Sequence, residues 1–332
     1  MRFGINNIEQ LVEQTFNLIK NLEGKTISVD EVLMEMFKNG FLTSDIFFMF
    51  LGELKKRNLI ESQKNLATFK KFENKEELEK IKSFIIRKTM KEKKVILTPW
   101  DVAKFYVCPR RLWLEKVTLS RELKKEKGIN WDGEALHLAI KEALLGKEIN
   151  EAVDYVLKQY EGKIVELKKE EMSNFISKLQ ELIKGGNFKY FFPERQVLSL
   201  EYKLFGIPDI ITIDENNNVS IIEVKYGSIE GEVRKEHLIQ LVGEVIVSSV
   251  FFRRKPIYGY LVYYKANKIA KVEIAKNEVK NFFNLSKKIL LMFSRNTIPP
   301  LSRLPNFRKL ICPNCHVKKA CDQIEILNAR NF

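Results

Sequence analysis

Two apolar runs separated by an asparagine-rich turn occupy residues 206–227, and they constrain this chain more than any other stretch. The runs IPDIITI and VSIIEVKY are apolar on both alternating faces, which is typical of strands that are buried on both sides. The segment 214–218 between them contains three asparagines, and asparagine tolerates the positive φ angles of tight turns. The sequence therefore predicts a buried β-hairpin here.

Three charged side chains interrupt these apolar strands. Asp209 lies near the start of the first strand, whereas Glu223 and Lys225 share one face of the second because side chains alternate along a strand. Converging carboxylates repel each other unless a cation lies between them, and Mg²⁺ and Mn²⁺ prefer oxygen ligands of this kind. A lysine on the same face can hold a water molecule or neutralise phosphate charge. The hairpin predicts a metal site; the alternative is a solvent-facing sheet with ordinary charges.

The elements around the hairpin predict an α/β fold. A long polar helix is expected up to about residue 184, followed by a strand over 197–205 and the two strands of the hairpin. A helix over 232–252, two strands in PIYGYLVYY and KIAKVEIA, and a helix over 277–293 complete the pattern. This order predicts a mixed sheet flanked by helices.

Residues 1–73 are predicted to form a separate, mainly α domain. Three short helical patterns and a hairpin are typical of a winged helix-turn-helix. The third helix is apolar all round between Ile46 and Leu51, whereas a helix that reads base edges offers polar side chains. A structural or protein-contact role is therefore favoured over DNA reading. Residues 74–94 are predicted to be a charged helical linker, and residues 95–332 the main domain.

The charge balance points to a polyanionic partner. The net charge is +14, from 57 Lys and Arg against 43 Asp and Glu, and nucleic acid is the commonest such partner. The alternative is the Lys-rich surface of a thermophile protein. Neither an apolar run of membrane-spanning length nor a secretory start is found, which predicts a cytoplasmic protein without a membrane partner.

The four cysteines form one early and one late group. Cys108 lies in the sequence CPRR, whereas Cys312, Cys315 and Cys321 lie together near the end of the chain. Four thiolates in this pattern fit a [4Fe–4S] cluster or a structural zinc ion. The rival arrangement is a zinc site in which His316 replaces Cys108.

Three further residues are candidate DNA contacts. Arg110 and Arg111 directly follow Cys108 and are predicted to contact phosphates. Tyr226 follows Lys225 and is a candidate for stacking on a base.

The hairpin resembles a known nuclease motif. Pro208-Asp209 followed by Glu223-Val224-Lys225 is similar to the PD-(D/E)XK motif of restriction-endonuclease-like nucleases. The resemblance implies that Asp209, Glu223 and the backbone carbonyl of Val224 hold the catalytic metal ion, and that Lys225 orients water and phosphate.

Two residues outside the hairpin resemble the RecB-type branch of these nucleases. Gln240 matches the first position of its Q-x-x-x-Y motif, although Glu244 stands where the motif has tyrosine. The stretch Gly133 to His137 fits the G-x-x-x-H form of an upstream motif. The resemblance implies that His137 is a fourth metal ligand and that Gln240 helps Lys225 to orient water and phosphate.

The combination of motifs looks most like the CRISPR-associated Cas-four family of iron–sulfur nucleases. LTPWD…CPRRLWLEK and the order of Cys, His, D…ExK, Gln and C-x₂-C-x₅-C carry this resemblance over about residues 95–325. It implies a metal-dependent 5′→3′ exonuclease on single-stranded DNA ends, with a four-cysteine [4Fe–4S] cluster. Its role would be to process prespacer ends in CRISPR adaptation, beside the integrase proteins.

Other interpretations remain open at this point. A RecB-type recombination, repair or virus-encoded nuclease would carry the same motifs, and so would a non-catalytic DNA-binding factor of adaptation. The retained Asp209, Glu223 and Lys225 favour an active enzyme. The sequence also leaves open whether the chain forms a homo-oligomer.

Overall fold

A computed structural model describes residues 5–72, 74–91, 95–117, 130–227, 232–299 and 312–330. Within these ranges the chain forms twelve α-helices, ten strands and one short 3-10 turn. None of the helices in the described ranges is long and apolar enough to cross a membrane.

The N-terminal elements occur in the order of a winged helix. The strand β3 pairs antiparallel with both β1 and β2, and β1 was not predicted from the sequence. The mainly α character predicted for this region is confirmed. The elements are α1 (Ile5–Asn21), β1 (Thr26–Ser28), α2 (Val29–Lys38), α3 (Asp45–Lys56), β2 (Ile60–Gln63) and β3 (Leu66–Phe69).

The segment predicted as a linker contains a packed helix, α4 (Lys75–Lys91). Its apolar side chains Leu78, Ile81 and Ile85 are buried, and the helix packs against α1 and α3. Because this apolar stripe is covered, α4 adds to the core of the N-terminal region. Residues 92–94, the end of the predicted linker, lie outside the described residues.

The third helix of the winged-helix-like region docks on the rest of the chain. The Asp45 carboxylate at its N-terminus is 4% exposed, and its Oδ2 accepts hydrogen bonds from the backbone N–H groups of Leu200 at 2.7 Å and Glu201 at 3.3 Å. Arg253 Nη2 lies 3.3 Å from Asp45 Oδ1. This helix is therefore held against the remainder of the protein.

The remaining elements form an α/β core. They are α5 (Pro99–Val107), α6 (Pro109–Val117), α7 (Trp131–Leu144), α8 (Ile149–Gln159), α9 (Lys169–Gly185), β4 (Phe188–Pro193), β5 (Val197–Ser199), β6 (Leu204–Gly206), β7 (Ile210–Asp214), β8 (Val219–Lys225), α10 (Lys235–Phe251), β9 (Tyr258–Tyr263), β10 (Lys268–Glu273), α11 (Lys276–Arg295), a 3-10 turn (Cys312–Asn314) and α12 (Lys318–Arg330).

A five-stranded mixed sheet organises this core. Its order is β10-β9-β8-β7-β4, with β8 and β9 parallel and the other pairs antiparallel. Ile221 on one face of β8 packs into the cluster that contains α5 and α10, whereas Ile222 on the other face packs with α7, α8 and α9. The predicted hairpin is confirmed as β7 and β8, with Ile210 paired to Ile222.

Two predicted elements differ from the structure. The single strand expected over 197–205 is a small hairpin of β5 and β6, which turns where Lys203 adopts a φ of 58°. On the side away from β8, β7 pairs with β4, a strand that was not predicted from the sequence.

The long polar helix expected up to residue 184 is two helices, α8 and α9. The chain turns at Gly162, which has a left-handed φ of 74°, a conformation that glycine adopts readily. Three successive backbone N–H groups, from Val165 to Leu167, then donate to Oδ1 of Asp132 at 3.0–3.2 Å. The Asp132 carboxylate from α7 thus accepts the hydrogen bonds of the backbone N–H groups in the turn that interrupts the predicted helix.

The contact of Asp45 with the core predicts a large loss of stability on its removal. In Asp45→Ala, two backbone N–H groups and Arg253 lose a buried acceptor, so we expect the free energy of unfolding to fall by about 2–3 kcal/mol. Urea unfolding of the full chain measures this. The control is Glu61→Ala, whose side chain is 74% exposed; equal effects of the two substitutions would contradict the assignment.

Candidate active site

The hairpin brings Asp209 and Glu223 to one end of the sheet. Asp209 directly precedes β7, and its Oδ2 accepts a hydrogen bond of 2.7 Å from the backbone N–H of Val224 in the neighbouring strand. This contact spans the two strands and fixes the carboxylate beside them. Glu223 lies in β8 and is 4% exposed, although the strands around it are apolar.

The crossover helix α10 places Gln240 over this carboxylate. Because β8 and β9 are parallel, the chain between them must return along the sheet, and α10 packs on β8. Glu223 Oε1 accepts hydrogen bonds from Gln240 Nε2 at 2.6 Å and from Lys225 Nζ at 2.9 Å. Lys225 Nζ also donates to Gln240 Oε1 at 2.8 Å. The three side chains therefore form a closed triangle that orients the lysine.

His137 reaches the site from α7, on the other side of the sheet. Its Nδ1 lies 3.0 Å from Asp209 Oδ1. Burial alone lowers the pKa of this imidazole, but the Asp209 carboxylate outweighs burial and raises the pKa to about 9. For Asp209 the balance runs the other way: burial raises its pKa, and the contact with His137 more than offsets this and lowers it. In this arrangement the two groups form an ion pair.

The sequence-predicted residues are thus brought together by the fold. Burial and the neighbouring Asp209 raise the pKa of Glu223. Burial lowers the pKa of Lys225, but the carboxyl groups of Glu223 and Asp209 outweigh burial, and the pKa is raised. The lysine therefore remains a cation between two carboxyl groups. Val224 contributes its N–H to Asp209, while the role of its carbonyl as a metal ligand stays a prediction.

The side chains of the site are of the types that bind a divalent ion. Asp209 Oδ1 and His137 Nδ1 are 3.0 Å apart, a separation shared by N–H···O hydrogen bonds and by adjacent ligands of an octahedral ion with bonds of about 2.1 Å. The described residues contain no group of three or more His, Cys, Asp or Glu side chains already arranged to hold a metal ion. The chemistry of the donors fits Mg²⁺ or Mn²⁺, but the imidazole must lose its proton and the internal contacts must open for an ion to enter.

Glu244 is a third carboxyl group in the same region. It lies one helical turn after Gln240 and is 4% exposed, and within the described structure its Oε2 finds no hydrogen-bond partner. A Cβ added at Gly206 would come within 2.3 Å of this oxygen, so β6 needs glycine there. Burial, followed by the charge of Glu223, raises the pKa of Glu244 well above its usual value. The group therefore favours its neutral form.

The predicted DNA contacts have other partners. Arg110 is 5% exposed and its Nε donates to the carbonyl of Pro299 at 2.8 Å, so its guanidinium is not presented to solvent as a phosphate contact requires. Arg111 Nε donates to Glu115 Oε1 at 2.9 Å. These two arginines follow Cys108 into α6, which packs on α12, and this position turns them towards the protein.

Tyr226 lies between two neighbours at the end of β8. Its ring stacks on Tyr264 with centroids 5.6 Å apart, and its hydroxyl donates to Glu166 Oε2 at 2.9 Å. Lys265 Nζ lies 4.8 Å from the ring centroid. Base stacking by Tyr226 stays a prediction, with one ring face already in contact with Tyr264.

The cysteines are partly buried thiols at the junction of α5, α6 and the C-terminal segment. Burial raises the pKa of the Cys315 and Cys321 thiols, and the electrostatic effect of Cys108 raises both pKa values further. Cys321 also interacts with Arg110. His316 Nε2 lies 3.1 Å from Glu115 Oε1.

Trp100 and His237 also lie near the candidate site. The Trp100 ring centroid lies 5.9 Å from Lys225 Nζ, and the indole is 42% exposed. His237 Nδ1 lies 3.0 Å from the hydroxyl of the buried Tyr263. The sequence LTPWD shows an apolar side chain in the first turn of a capped helix, but only the fold brings this side chain to Lys225.

Glu244 gives a prediction about the pH dependence of stability. Because its pKa is higher in the folded than in the unfolded state, folding binds a proton, and stability is lost as the pH rises above the unfolded value of about 4.3. Glu244→Gln cannot ionise. We expect the free energy of unfolding of the original chain to fall relative to this variant by up to about 1.4 kcal/mol per pH unit.

Urea unfolding in EDTA across the neutral range measures this difference. The control is Glu215→Gln in the exposed turn of the hairpin, for which no pH-dependent difference is expected. Parallel stability curves for the original chain and Glu244→Gln would show that the Glu244 carboxyl ionises normally.

The chain has similarities to known proteins, one to a solved structure and one to a protein family. A solved structure titled "Crystal structure of SSO0001" is 17% identical to this chain, with a TM-score of 0.36 over 72% of this chain and 94% of that one. No curated protein matches the chain. Residues 97–322 match the PD-(D/E)XK nuclease superfamily, a span that contains the whole hairpin, α10 and the four cysteines. With more than half of its length matched, the chain belongs to the PD-(D/E)XK nuclease superfamily.

Proposed function

We propose that this protein is a metal-dependent deoxyribonuclease that hydrolyses phosphodiester bonds. The observation that carries the proposal is the convergence of Asp209, Glu223 and Lys225 at one end of the sheet, with His137 and Gln240 in contact with them. Superfamily membership supports nuclease activity with Mg²⁺ or Mn²⁺ and DNA as the substrate. The net charge of +14 is complementary to a polyanion.

Each side chain has a distinct role in this proposal. Asp209, Glu223, His137 and the carbonyl of Val224 would hold the ion. A divalent ion bound there supplies Lewis-acid stabilisation of the charge that develops on the phosphate. Gln240 keeps the Lys225 ammonium in place, 2.8 Å from its amide oxygen. That ammonium then faces the phosphate and its attacking water, where a preorganised cation is most effective.

We further propose a specific activity and biological role, based on the resemblance of the motifs to the Cas-four family. The enzyme would be a 5′→3′ exonuclease on single-stranded DNA ends and would trim prespacer ends in CRISPR adaptation beside the integrase proteins. What supports it is the order of Cys108, His137, the hairpin, Gln240 and the late cysteines along the chain.

The N-terminal region, residues 1–73 in the proposed division, is assigned a structural role. The α3 helix, which would read DNA in a winged helix, has Ile46, Phe47 and Phe50 fully buried and Asp45 bound to the core. This supports the proposal that the region packs against residues 95–332 and stabilises them.

The activity proposal predicts a large effect of Glu223→Gln. The substitution keeps the shape of the side chain but removes the charge that holds the ion and the lysine, so we expect cleavage to fall by at least about 100-fold. End-labelled single-stranded DNA with Mg²⁺ or Mn²⁺, compared with EDTA, measures it. Glu215→Gln in the same hairpin is the matched control and should cleave normally.

Equal cleavage by Glu223→Gln and the original chain would contradict this active-site assignment. Absence of metal-dependent cleavage by the original chain on every DNA substrate would favour a non-catalytic DNA-binding role. Circular single strands and strands blocked at either end test the exonuclease proposal, since a 5′→3′ exonuclease needs a free 5′ end.

We propose that the four cysteines together bind a [4Fe–4S] cluster, with zinc as the alternative. The support is the C-x₂-C-x₅-C spacing of the late cysteines and the electrostatic interaction of Cys108 with Cys315 and Cys321, while the described side chains are not already arranged as a metal site. A cluster there would tie the start of the core to its end.

Metal content tests this second proposal. We expect anaerobically purified protein to contain iron and to absorb broadly in the visible region, and Cys108→Ser to lose both. Zinc without iron would favour the structural zinc site. Unchanged zinc content in Cys108→Ser together with zinc loss in His316→Ala would favour the rival ligand set.

A further inference from the structure

Trp100 occupies an unusual position beside the candidate site. It is the second residue of α5 and is 42% exposed, whereas Trp113 is only 9% exposed. Tryptophan is highly buried on average in folded proteins, because exposure of its large apolar ring to water is unfavourable. An exposed indole at the edge of a catalytic site is therefore a candidate for ligand contact.

The backbone beneath Trp100 is rigidly held. Thr98 and Asp101 form a reciprocal capping box at the start of α5, with hydrogen bonds of 3.1 Å and 2.9 Å. Leu97 pairs with β6 through its N–H to the Lys203 carbonyl and its carbonyl to the Phe205 N–H, both at 2.9 Å. The indole is thus presented from a fixed helix turn, so little ordering is needed when a ligand binds.

The side chains around the ring are fixed as well. Lys104 Nζ lies 5.7 Å from the ring centroid and is bound to Glu115 at 2.6 Å. Lys225 Nζ lies 5.9 Å from the centroid and is held by Glu223 and Gln240. Both distances are within the range of cation–π attraction. The indole therefore lies next to the lysine that is proposed to face the phosphate.

We propose that Trp100 is a substrate-binding residue that stacks on the unpaired nucleobase next to the scissile phosphate. This inference rests on the proposed nuclease function. A base in a duplex is covered by its neighbours on both faces, whereas an unpaired base can offer a face to an aromatic ring. Stacking tolerates any base, because each has a π-face. Trp100 thereby makes the site select unpaired over paired DNA without reading sequence.

Binding in EDTA tests the proposal without requiring cleavage. The full-length protein is titrated into a fluorescein-labelled single-stranded oligonucleotide, and into a blunt duplex of the same sequence, while anisotropy is measured. We expect Trp100→Ala to lose about 10-fold or more in affinity for the single strand, and to change duplex affinity by less than about 2-fold. Trp100→Phe, which keeps an aromatic face, should retain most of the affinity.

An abasic oligonucleotide separates stacking from a general structural effect. If the indole stacks on a base, the original chain should bind the abasic strand more weakly, and Trp100→Ala should cause no further loss. The control substitution is Tyr106→Ala, on the same helix and 37% exposed, which should leave single-strand affinity unchanged. With Mg²⁺ or Mn²⁺, Trp100→Ala should raise KM much more than it lowers kcat.

Two results would overturn the proposal: equal loss of single-strand and duplex affinity in Trp100→Ala, or an undiminished loss with the abasic strand. Either can occur while Glu223→Gln still abolishes cleavage, in which case the nuclease function stands without Trp100 stacking. Conversely, selective loss of single-strand binding in a chain that cleaves nothing would leave Trp100 as a base-stacking residue of a DNA-binding site.

Discussion

Three carboxyl groups, two of them buried and that of Asp209 half-buried, lie close together at one end of an apolar sheet, and the surrounding structure compensates for them. Asp209 pairs with His137, Glu223 is bound by Lys225, and Glu244 favours its neutral form. Placing charge in such an environment costs several kcal/mol per ion unless it is paired and hydrogen-bonded. A fold selected for stability alone would place apolar side chains at these positions, so the cluster is best explained by the chemistry that it supports.

The elements around the cluster supply the hydrogen bonds and the space that these carboxyl groups require. The antiparallel pairing of β7 and β8 brings the Val224 N–H to Asp209, and the parallel pairing of β8 and β9 requires the crossover that supplies Gln240. Gly206 leaves space for the third carboxyl. Much of the architecture of residues 130–263 can thus be understood as the support of a few charged atoms.

The sequence predicted the parts of this arrangement that depend on local pattern. The hairpin, α10 and the set of Asp209, Glu223 and Lys225 could be recognised because alternation, turn residues and helical spacing are properties of short segments. The interruption between α8 and α9 could not, because it depends on Asp132 from another helix. The burial of Arg110 was missed for the same reason: its partner, Pro299, is distant in the sequence.

The placement of the site residues along the chain has an entropic consequence. Asp209, Glu223, Lys225 and Gln240 all come from one hairpin and the helix that follows it, so short loops bring them together. His137 is separated from Asp209 by α8, α9, β4, β5 and β6. The contact between His137 and Asp209 therefore closes the longest loop among the contacts that assemble these five residues. It accounts for the largest share of the conformational entropy that is lost when the site forms.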